Sequence, residues 1–222
     1  MPQSYTKSGV TVKTGANLDV LGTVLQTHQI KAAASVVNKA IDCLGSTHRK
    51  LRYAWLYPDV LKYARRYFLF GPHGPSVGQR NHMLAILVLT RNGLTGERTV
   101  VIDEHGLNPD AMGWTSAIHV PNNEVANQQA QFPERRFYPD ATAQDHIMYG
   151  EINVADKLLV GPRKQGVMTF IHEATHRYAN TLDFGEEGYS TDGVNFNQAG
   201  LTNAMALQNA ESYGWFAYKV GR

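Results

Sequence analysis

A short apolar stretch near residue 170 ends in the pentapeptide His-Glu-Ala-Thr-His, residues 172–176. Residues four apart lie on the same face of a helix, so His172 and His176 can direct two imidazole nitrogens to one metal ion at about 2.0–2.1 Å. The apolar residues before them predict that this helix is buried, and buried polar side chains require partners. These apolar residues are Val167, Met168, Phe170 and Ile171. The pattern therefore constrains the chain to a buried helix that carries a metal site.

The glutamate of the pentapeptide has a different role from the histidines. Glu173 lies one residue further round the helix than His172, where its carboxylate cannot comfortably join the ligands of the same ion. It borders the open coordination position instead, where a water molecule would meet a general base. Chance alone would produce this pattern in about 1–2% of chains with the same His and Glu content. The motif therefore predicts a catalytic zinc site.

A catalytic zinc ion normally has three protein ligands and one position for water, so a third ligand is needed. Asp183 follows His176 by seven residues, and such a short connection closes at low entropic cost. Glu211, in the next predicted helix, is the alternative. In non-ligand roles, Asp183 would cap a backbone amide and Glu211 would hold the ring N–H of a ligating histidine. Ala179 and Leu182 exclude the longer His-Glu-x-x-His-x-x-Gly-x-x-His class, because they stand where it needs Gly and His.

Two segments resemble one family of metallopeptidases. Residues 180–183, Asn-Thr-Leu-Asp, are similar to the Gly-Thr-x-Asp that follows the motif in the deuterolysin-type, or aspzincin, metalloendopeptidases. Residues 209–213, Asn-Ala-Glu-Ser-Tyr, resemble the family's Asn-Ala-Asp-x-Tyr helix, with Glu for Asp. The family includes fungal lysine-specific enzymes and bacterial toxin domains. The resemblance covers about residues 146–218.

The resemblance implies a zincin-like fold and a set of functional residues. His172, His176 and Asp183 would bind Zn²⁺, and a tyrosine would stabilise the transition state. Tyr189 is the candidate, although it follows Asp183 by six residues and the family's tyrosine follows by three. Glu211 would contribute to substrate binding, but no second acid follows it closely, so lysine specificity is not expected.

These residues predict a zinc-dependent metalloendopeptidase that acts on a protein or peptide substrate. In the expected reaction, zinc lowers the pKa of its water toward about 7, and Glu173 moves the proton from that water to the leaving amine. A strand at residues 146–154 is expected to form the cleft edge that pairs with the substrate. Two alternatives stay open. One is hydrolysis of peptidoglycan peptide crosslinks, and the other is a non-enzymatic zinc-stabilised module in which Asp183 and Glu211 both bind the ion.

The amino-acid composition limits which binding partners and which cellular location are expected. The net charge is +2 and the basic clusters are short, so nucleic acid is not predicted as a partner, nor is an anionic membrane surface. The single cysteine, Cys43, excludes an internal disulfide framework. No apolar signal segment or membrane span is recognisable. With the resemblance to toxin domains, this predicts an effector secreted without a cleaved signal peptide, acting in a target periplasm or host cytosol and paired with a cognate immunity protein. A cytoplasmic protein is the alternative.

Hydrophobic periodicity predicts an α+β fold in one zincin-like domain, residues 1–222, with N-terminal helices and a small, mostly antiparallel sheet. Its parts are a loose segment (1–17), a helical and strand part without a recognised motif (18–145) and a catalytic half (146–222). The predicted helices are 18–44, which Gly45 ends, 50–68, 164–178 and 198–220, which packs on the motif helix. The predicted strands are a hairpin, 83–89 with 99–102, and two more at 115–120 and 146–154. Residues 121–145 are predicted to form a long loop.

Overall fold

The computed structural model describes residues 4–7, 10–14, 20–96, 99–102, 112–140, 145–155, 163–190 and 200–222 of the 222-residue chain. Its helices in these ranges are α1 (Val20–Arg52), α2 (Pro58–Phe68), α3 (Val77–Gly96), α4 (Val125–Gln131), α5 (Arg163–Ala179), α6 (Gly185–Gly188), α7 (Asn203–Ala206) and α8 (Ala210–Gly221), with a 3₁₀ turn at Ala54–Leu56. Its strands are β1 (Ser4–Lys7), β2 (Val10–Thr14), β3 (Thr99–Ile102), β4 (Gly113–Pro121), β5 (Arg136–Pro139) and β6 (Asp145–Val154). Helices combined with one small sheet confirm the predicted α+β class.

The six strands form one mixed sheet in the order β1-β2-β3-β6-β4, and β5 also pairs with β6. Three pairings are antiparallel, β1–β2, β4–β6 and β5–β6, and two are parallel, β2–β3 and β3–β6. β4 follows one edge of β6 from end to end, so β3 and β5 share the other edge. The expectation that residues 146–154 form the edge of a cleft is therefore wrong, because both edges of β6 are paired. Among the described strands, β4 is the one that borders the sheet on this side.

The motif helix α5 lies between the sheet and a layer of other helices. It contacts β4 and β6 on one side and α1, α3 and α8 on the other. Residues 166–178 are all buried, which is the pattern of a helix enclosed on every face. Most of the core fills this helical layer, and its largest fully buried side chains include Trp215, Tyr67, Tyr213 and Phe216. None of the helices described here is long and apolar enough to cross a membrane.

The largest error of sequence interpretation concerns residues 83–89, which form the middle of α3 and not a hairpin strand. A continuous apolar run does not distinguish a strand from a buried helix. The buried positions of α3 are spaced by three or four residues, as a helix requires: Met83, Ile86, Leu87, Thr90 and Leu94. The second half of the predicted hairpin, residues 99–102, is a strand, but it pairs in parallel with β2 and β6.

Gly45 does not end the first helix, because α1 continues to Arg52. Gly45 lies inside α1 and faces the Arg91 side chain of α3, with a built Cβ 3.0 Å from its Nε. The helix predicted at 50–68 is divided, since Pro58 disfavours the helical conformation of the residue before it and begins α2 instead.

Three further expectations need correction at their boundaries. Residues 1–17 include strands β1 and β2, because their β-branched Val and Thr residues suit a sheet despite the polar composition. Residues 121–145 contain α4 and β5 and are not one loop. The final helix is two helices, α7 and α8, while residues 198 and 199 lie outside the described part. The predicted strands at 115–120 and 146–154 and the motif helix at 164–178 are confirmed.

Candidate metal centre

The turn after α5 carries the chain back under the motif helix. Asn180 ends the helix with φ 53°, a left-handed conformation that Asn tolerates better than most residues. Leu182 is then fixed to the segment that precedes α8: its N–H donates to the Gln208 carbonyl at 2.8 Å, and its carbonyl accepts from the Ala210 N–H at 3.0 Å. These two hydrogen bonds position the next residue, Asp183, beside the histidines of α5.

Two imidazole nitrogens and one carboxylate converge at this point. Nε2 of His172 and Nε2 of His176 are 3.1 Å apart. The Asp183 carboxylate approaches both, with Oδ1 3.2 Å from His172 Nε2 and Oδ2 3.3 Å from His176 Nε2. Tetrahedral zinc with ligands at about 2.0–2.1 Å needs ligand atoms about 3.3–3.4 Å apart. The three side chains thus form a triangle, called the metal triangle below, whose size suits such an ion.

The hydrogen bonds of the outer ring nitrogens fix the tautomers of both histidines. Nδ1 of His172 lies 2.9 Å from the Glu211 carboxylate, and Nδ1 of His176 lies 2.7 Å from the Thr181 carbonyl. Both partners accept and do not donate, so each neutral ring carries its proton on Nδ1. In the neutral rings, the two Nε2 lone pairs therefore face the Asp183 carboxylate, whose side chain is 41% exposed, and a cation is the group that satisfies all three.

The surroundings of the metal triangle also shift the pKa values of its members. Burial would raise the pKa of the Asp183 carboxyl, but when Nε2 of His172 and His176 carries a proton, the rings donate to this carboxylate and hold its pKa well below its usual range. Burial would lower the pKa of His172, and hydrogen bonds to Asp183 and Glu211 raise it above its ordinary value instead. Asp183 is consequently an anion throughout the physiological range, as a metal ligand must be.

Glu173 lies beside the metal triangle and not within it. Its carboxylate, with the two ring nitrogens of His172 and His176, belongs to a buried group that could hold a metal ion, with ligand atoms within 4.8 Å of one another. However, its Oε1 is 3.9 Å from His172 Nε2, further than either oxygen of Asp183 is from its nearer histidine. The distances thus favour Asp183 over Glu173 as the third ligand.

Strand β4 holds Glu173 from the other side. The Thr115 hydroxyl lies 3.0 Å from Oε2 and 3.0 Å from the backbone carbonyl of Glu173, and its single hydrogen can serve one of them at a time. A Cβ at Gly113 would lie 3.2 Å from Cγ of Glu173, so the glycine leaves room for this side chain. Burial raises the pKa of the Glu173 carboxyl, the histidines and the Thr115 hydrogen bond partly oppose this, and the pKa stays above its ordinary value.

Glu211 does not fit the alternative assignment as third ligand. Its carboxylate bonds Nδ1 of His172, the nitrogen on the far side of the ring from the metal triangle. It also accepts the indole N–H of Trp215 at 2.9 Å and is only 4% exposed. Because both oxygens are engaged and buried, Glu211 does not fit the predicted substrate-binding role either. The contact is the one expected of an acid that holds the ring N–H of a ligating histidine.

Two tyrosine rings flank the histidines. Tyr189 stacks on His172, with centroids 5.7 Å apart and planes at 25°, and Tyr149 stacks on His176 at 6.5 Å and 20°. Burial and the charge of Asp183 raise the pKa of Tyr149 to about 12. The same two causes, with a hydrogen bond to Asp183, raise the pKa of Tyr189 as well. Both phenols therefore keep their protons at neutral pH and can donate a hydrogen bond.

The side chains of α5 and β4 open on a cleft of about 290 Å³. Its lining residues are Gly113, Trp114, Thr115, Ala117, Tyr149, Glu173, His176, Thr181, Leu182, Asp183 and Tyr189. Sequence reasoning misses Tyr149 and Thr115, because they lie far from the motif in the chain and only the sheet brings them to it. The buried guanidinium of Arg177 fixes this arrangement, since it donates to the backbone carbonyls of Tyr149 and Gly150 in β6.

No model of a known protein family matches the chain, and a search among curated proteins gives no significant match.

Proposed function

We propose that the chain is a zinc-dependent peptidase whose metal ligands are His172, His176 and Asp183. The observation that carries the proposal is the metal triangle, in which two ring nitrogens and one carboxylate face each other at 3.1–3.3 Å. Nitrogen and oxygen ligands in a three-residue set that leaves a fourth position open are typical of catalytic zinc. When bound, zinc supplies Lewis acidity, which lowers the pKa of water toward about 7 and polarises a carbonyl.

Glu173 is the general base of the proposed reaction. Its carboxylate borders the metal triangle, and its raised pKa suits a group that accepts a proton and later releases it. It takes the proton of the attacking water, holds it on the carboxylate and delivers it to the leaving amine. The Thr115 hydroxyl orients the carboxylate through Oε2.

Tyr189 is the proposed donor to the oxyanion. Its phenol lies in the cleft, its ring stacks on His172 and its raised pKa keeps the hydroxyl protonated. A hydrogen-bond donor aimed at the developing negative charge stabilises the transition state. Tyr149, on the opposite histidine, is the second phenol within the cleft.

An extended peptide suits the cleft because β4 borders it. Residues 116–119 of this strand are exposed, and no described strand pairs with its outer edge. A peptide that adds to a strand edge gains backbone hydrogen bonds whatever its sequence. The substrate would thus pair with β4, and not with β6 as the sequence suggested. The position of Glu211 disfavours the non-enzymatic module, which needs Asp183 and Glu211 on the same ion. Membership of the aspzincins and secretion as an effector stay predictions.

Casein cleavage by the zinc-loaded protein tests the proposal. Glu173→Gln should retain zinc and lose at least about 10²-fold in rate, since general acid–base catalysis contributes about 10²–10⁴-fold. His172→Ala should lose both zinc and activity. The matched control is Glu186→Gln, which changes an exposed acid of the adjacent α6. A fully active Glu173→Gln would contradict the mechanism. Purified sacculi assayed beside casein separate cleavage of protein from cleavage of peptidoglycan crosslinks.

A further inference from the structure

Exposed apolar side chains are concentrated at the corner between α1 and α2. Four of them fall within five consecutive residues: Tyr53, Trp55, Leu56 and Tyr57, exposed by 44, 77, 53 and 38%. The other large exposed apolar side chains of the described residues are spread along the chain: Val77, Leu89, Ile118 and Tyr189. Single exposed apolar residues are normal on a protein surface, whereas a contiguous group marks an interaction site.

The backbone of this corner explains why these side chains point outward. The Leu56 N–H donates to the Tyr53 carbonyl at 2.9 Å, and the Tyr57 N–H donates to the Ala54 carbonyl at 3.1 Å, which closes a tight 3₁₀ turn. Ala54 is 6% exposed and anchors the turn on the core. Its larger neighbours are then left on the surface. The corner joins α1 to α2 directly.

Cations from α1 and from residues 219–222 lie beside this corner, and α2 carries further cations along the chain. The sequence between residues 43 and 96 contains one acid, Asp59, whereas residues 49–66 contain six lysines and arginines: Arg49, Lys50, Arg52, Lys62, Arg65 and Arg66. The end of α8 adds two more. Lys219 and Arg222 line a cavity of about 350 Å³ together with Lys50, Tyr57 and the acid Asp59. The chain as a whole carries only +2, so its positive charge is concentrated here. Six of these eight cations are close in the sequence, and the fold adds Lys219 and Arg222 to them.

We propose that this corner, formed by Tyr53, Trp55, Leu56, Tyr57 and the cations around them, binds the surface of an anionic phospholipid bilayer. Trp and Tyr prefer the depth of the lipid headgroups, where the ring is in an apolar layer and the polar tip is hydrated. Lysines and arginines near an anionic bilayer strengthen binding by about fivefold each. An apolar centre within a basic rim matches both layers of such a surface. A nucleic-acid base could stack on the three aromatic rings but would leave Leu56 unused, whereas a bilayer buries all four apolar side chains. The proposal is independent of the peptidase activity.

Co-sedimentation with lipid vesicles tests the proposal on the purified chain. The wild type should bind vesicles of equal parts phosphatidylglycerol and phosphatidylcholine at least about tenfold more tightly than pure phosphatidylcholine vesicles. The fluorescence of Trp55, the most exposed of the described tryptophans, should shift to the blue on binding, and Trp55→Phe should lose that shift. Trp55→Ala combined with Leu56→Ser should weaken binding about fivefold or more. The matched control is Leu89→Ser, which changes an exposed apolar residue of α3.

Charge variants provide the second, independent test. Arg49→Glu with Arg52→Glu should weaken binding to anionic vesicles by more than about tenfold. Lys31→Glu, an exposed change on the same helix about 30 Å away, should not. All variants change exposed residues, and equal thermal midpoints would verify their folding. The proposal would be overturned if the wild type did not bind anionic vesicles, or if it bound neutral vesicles equally well. It would also be overturned if only the control variants lost binding. So would a single-stranded oligonucleotide that displaces the protein from the vesicles and binds more tightly than they do.

Discussion

The carboxylate of Glu211 lies 2.9 Å from Nδ1 of His172, on the side of the ring away from the metal triangle. The same carboxylate accepts the Trp215 indole N–H at 2.9 Å and the Ser190 backbone N–H at 3.4 Å. α8 and the segment after α6 therefore orient the His172 ring through one buried acid. Such an acid also makes the ring nitrogen that faces the ion more basic.

Glu211→Gln should weaken zinc binding about 10- to 100-fold without abolishing it, because the amide keeps the shape but removes the charge that polarises His172. Competition with a chromophoric chelator measures the affinity. Glu187→Gln, an exposed acid in α6, is the matched control. An unchanged zinc affinity in Glu211→Gln would mean that this carboxylate does not support the site.

The roles of Tyr189 and Tyr149 in the reaction can be distinguished by removing the hydroxyl of each in turn. Tyr189→Phe should reduce kcat about 10- to 100-fold with little change in KM, because a donor to the oxyanion acts in the transition state. Tyr149→Phe should have a smaller effect, since its ring also packs edge-on against Tyr138. Both variants should retain zinc. A large loss in Tyr149→Phe with an active Tyr189→Phe would assign the oxyanion to Tyr149.

Substitutions at Thr115 should change the pH dependence of the reaction. Glu173 must be ionised to accept a proton, so activity falls as the pH drops through the pKa of Glu173. Burial raises that pKa and the Thr115 hydrogen bond lowers it. Thr115→Val should therefore move the acid limb of kcat/KM to higher pH, and Thr115→Ser should restore it. A limb that stays in place or moves to lower pH in Thr115→Val would contradict this account.

The packing of α3 against the motif helix depends on one glycine. A Cβ at Gly93 would overlap the ring of Tyr178, so Gly93→Ala should lower the free energy of unfolding by about 1–3 kcal/mol. Gly78 lies in the same helix with no heavy atom near a built Cβ, and Gly78→Ala should be neutral or stabilise by up to about 1 kcal/mol. Urea unfolding of the two variants measures the difference. Equal effects would mean that Gly93 does not limit the approach of α3 to α5.

The site residues that can be predicted from the sequence are those that lie close together in the chain. His172, Glu173 and His176 share one turn of one helix, and Asp183 follows after a turn whose Asn180 suits a helix end. A pattern of a few residues with fixed helical geometry needs no knowledge of the rest of the fold. The motif helix is predictable for the same reason, because the motif itself requires helical geometry.

The features that cannot be predicted from the sequence depend on contacts between residues that are far apart in the chain. Tyr149 and Thr115 reach the cleft only because β4 and β6 pair beside α5. The apolar run of α3 carries no period that separates a helix from a strand, and its identity follows from packing on α1 and α5. Gly45, which resembles a helix end, proves to be a contact point between helices. In each case, tertiary packing overrides the local preference of the residues.

Zinc content is the most direct measurement of the central claim, that His172, His176 and Asp183 hold a catalytic metal. Elemental mass spectrometry would be applied to the wild type, Asp183→Ala and Glu211→Ala after dialysis against limiting zinc. We expect about one zinc ion per wild-type chain, near-complete loss of zinc in Asp183→Ala and only partial loss of zinc in Glu211→Ala. Complete loss in Glu211→Ala with retention in Asp183→Ala would contradict the assigned ligands, and a wild type without zinc would contradict the metal centre itself.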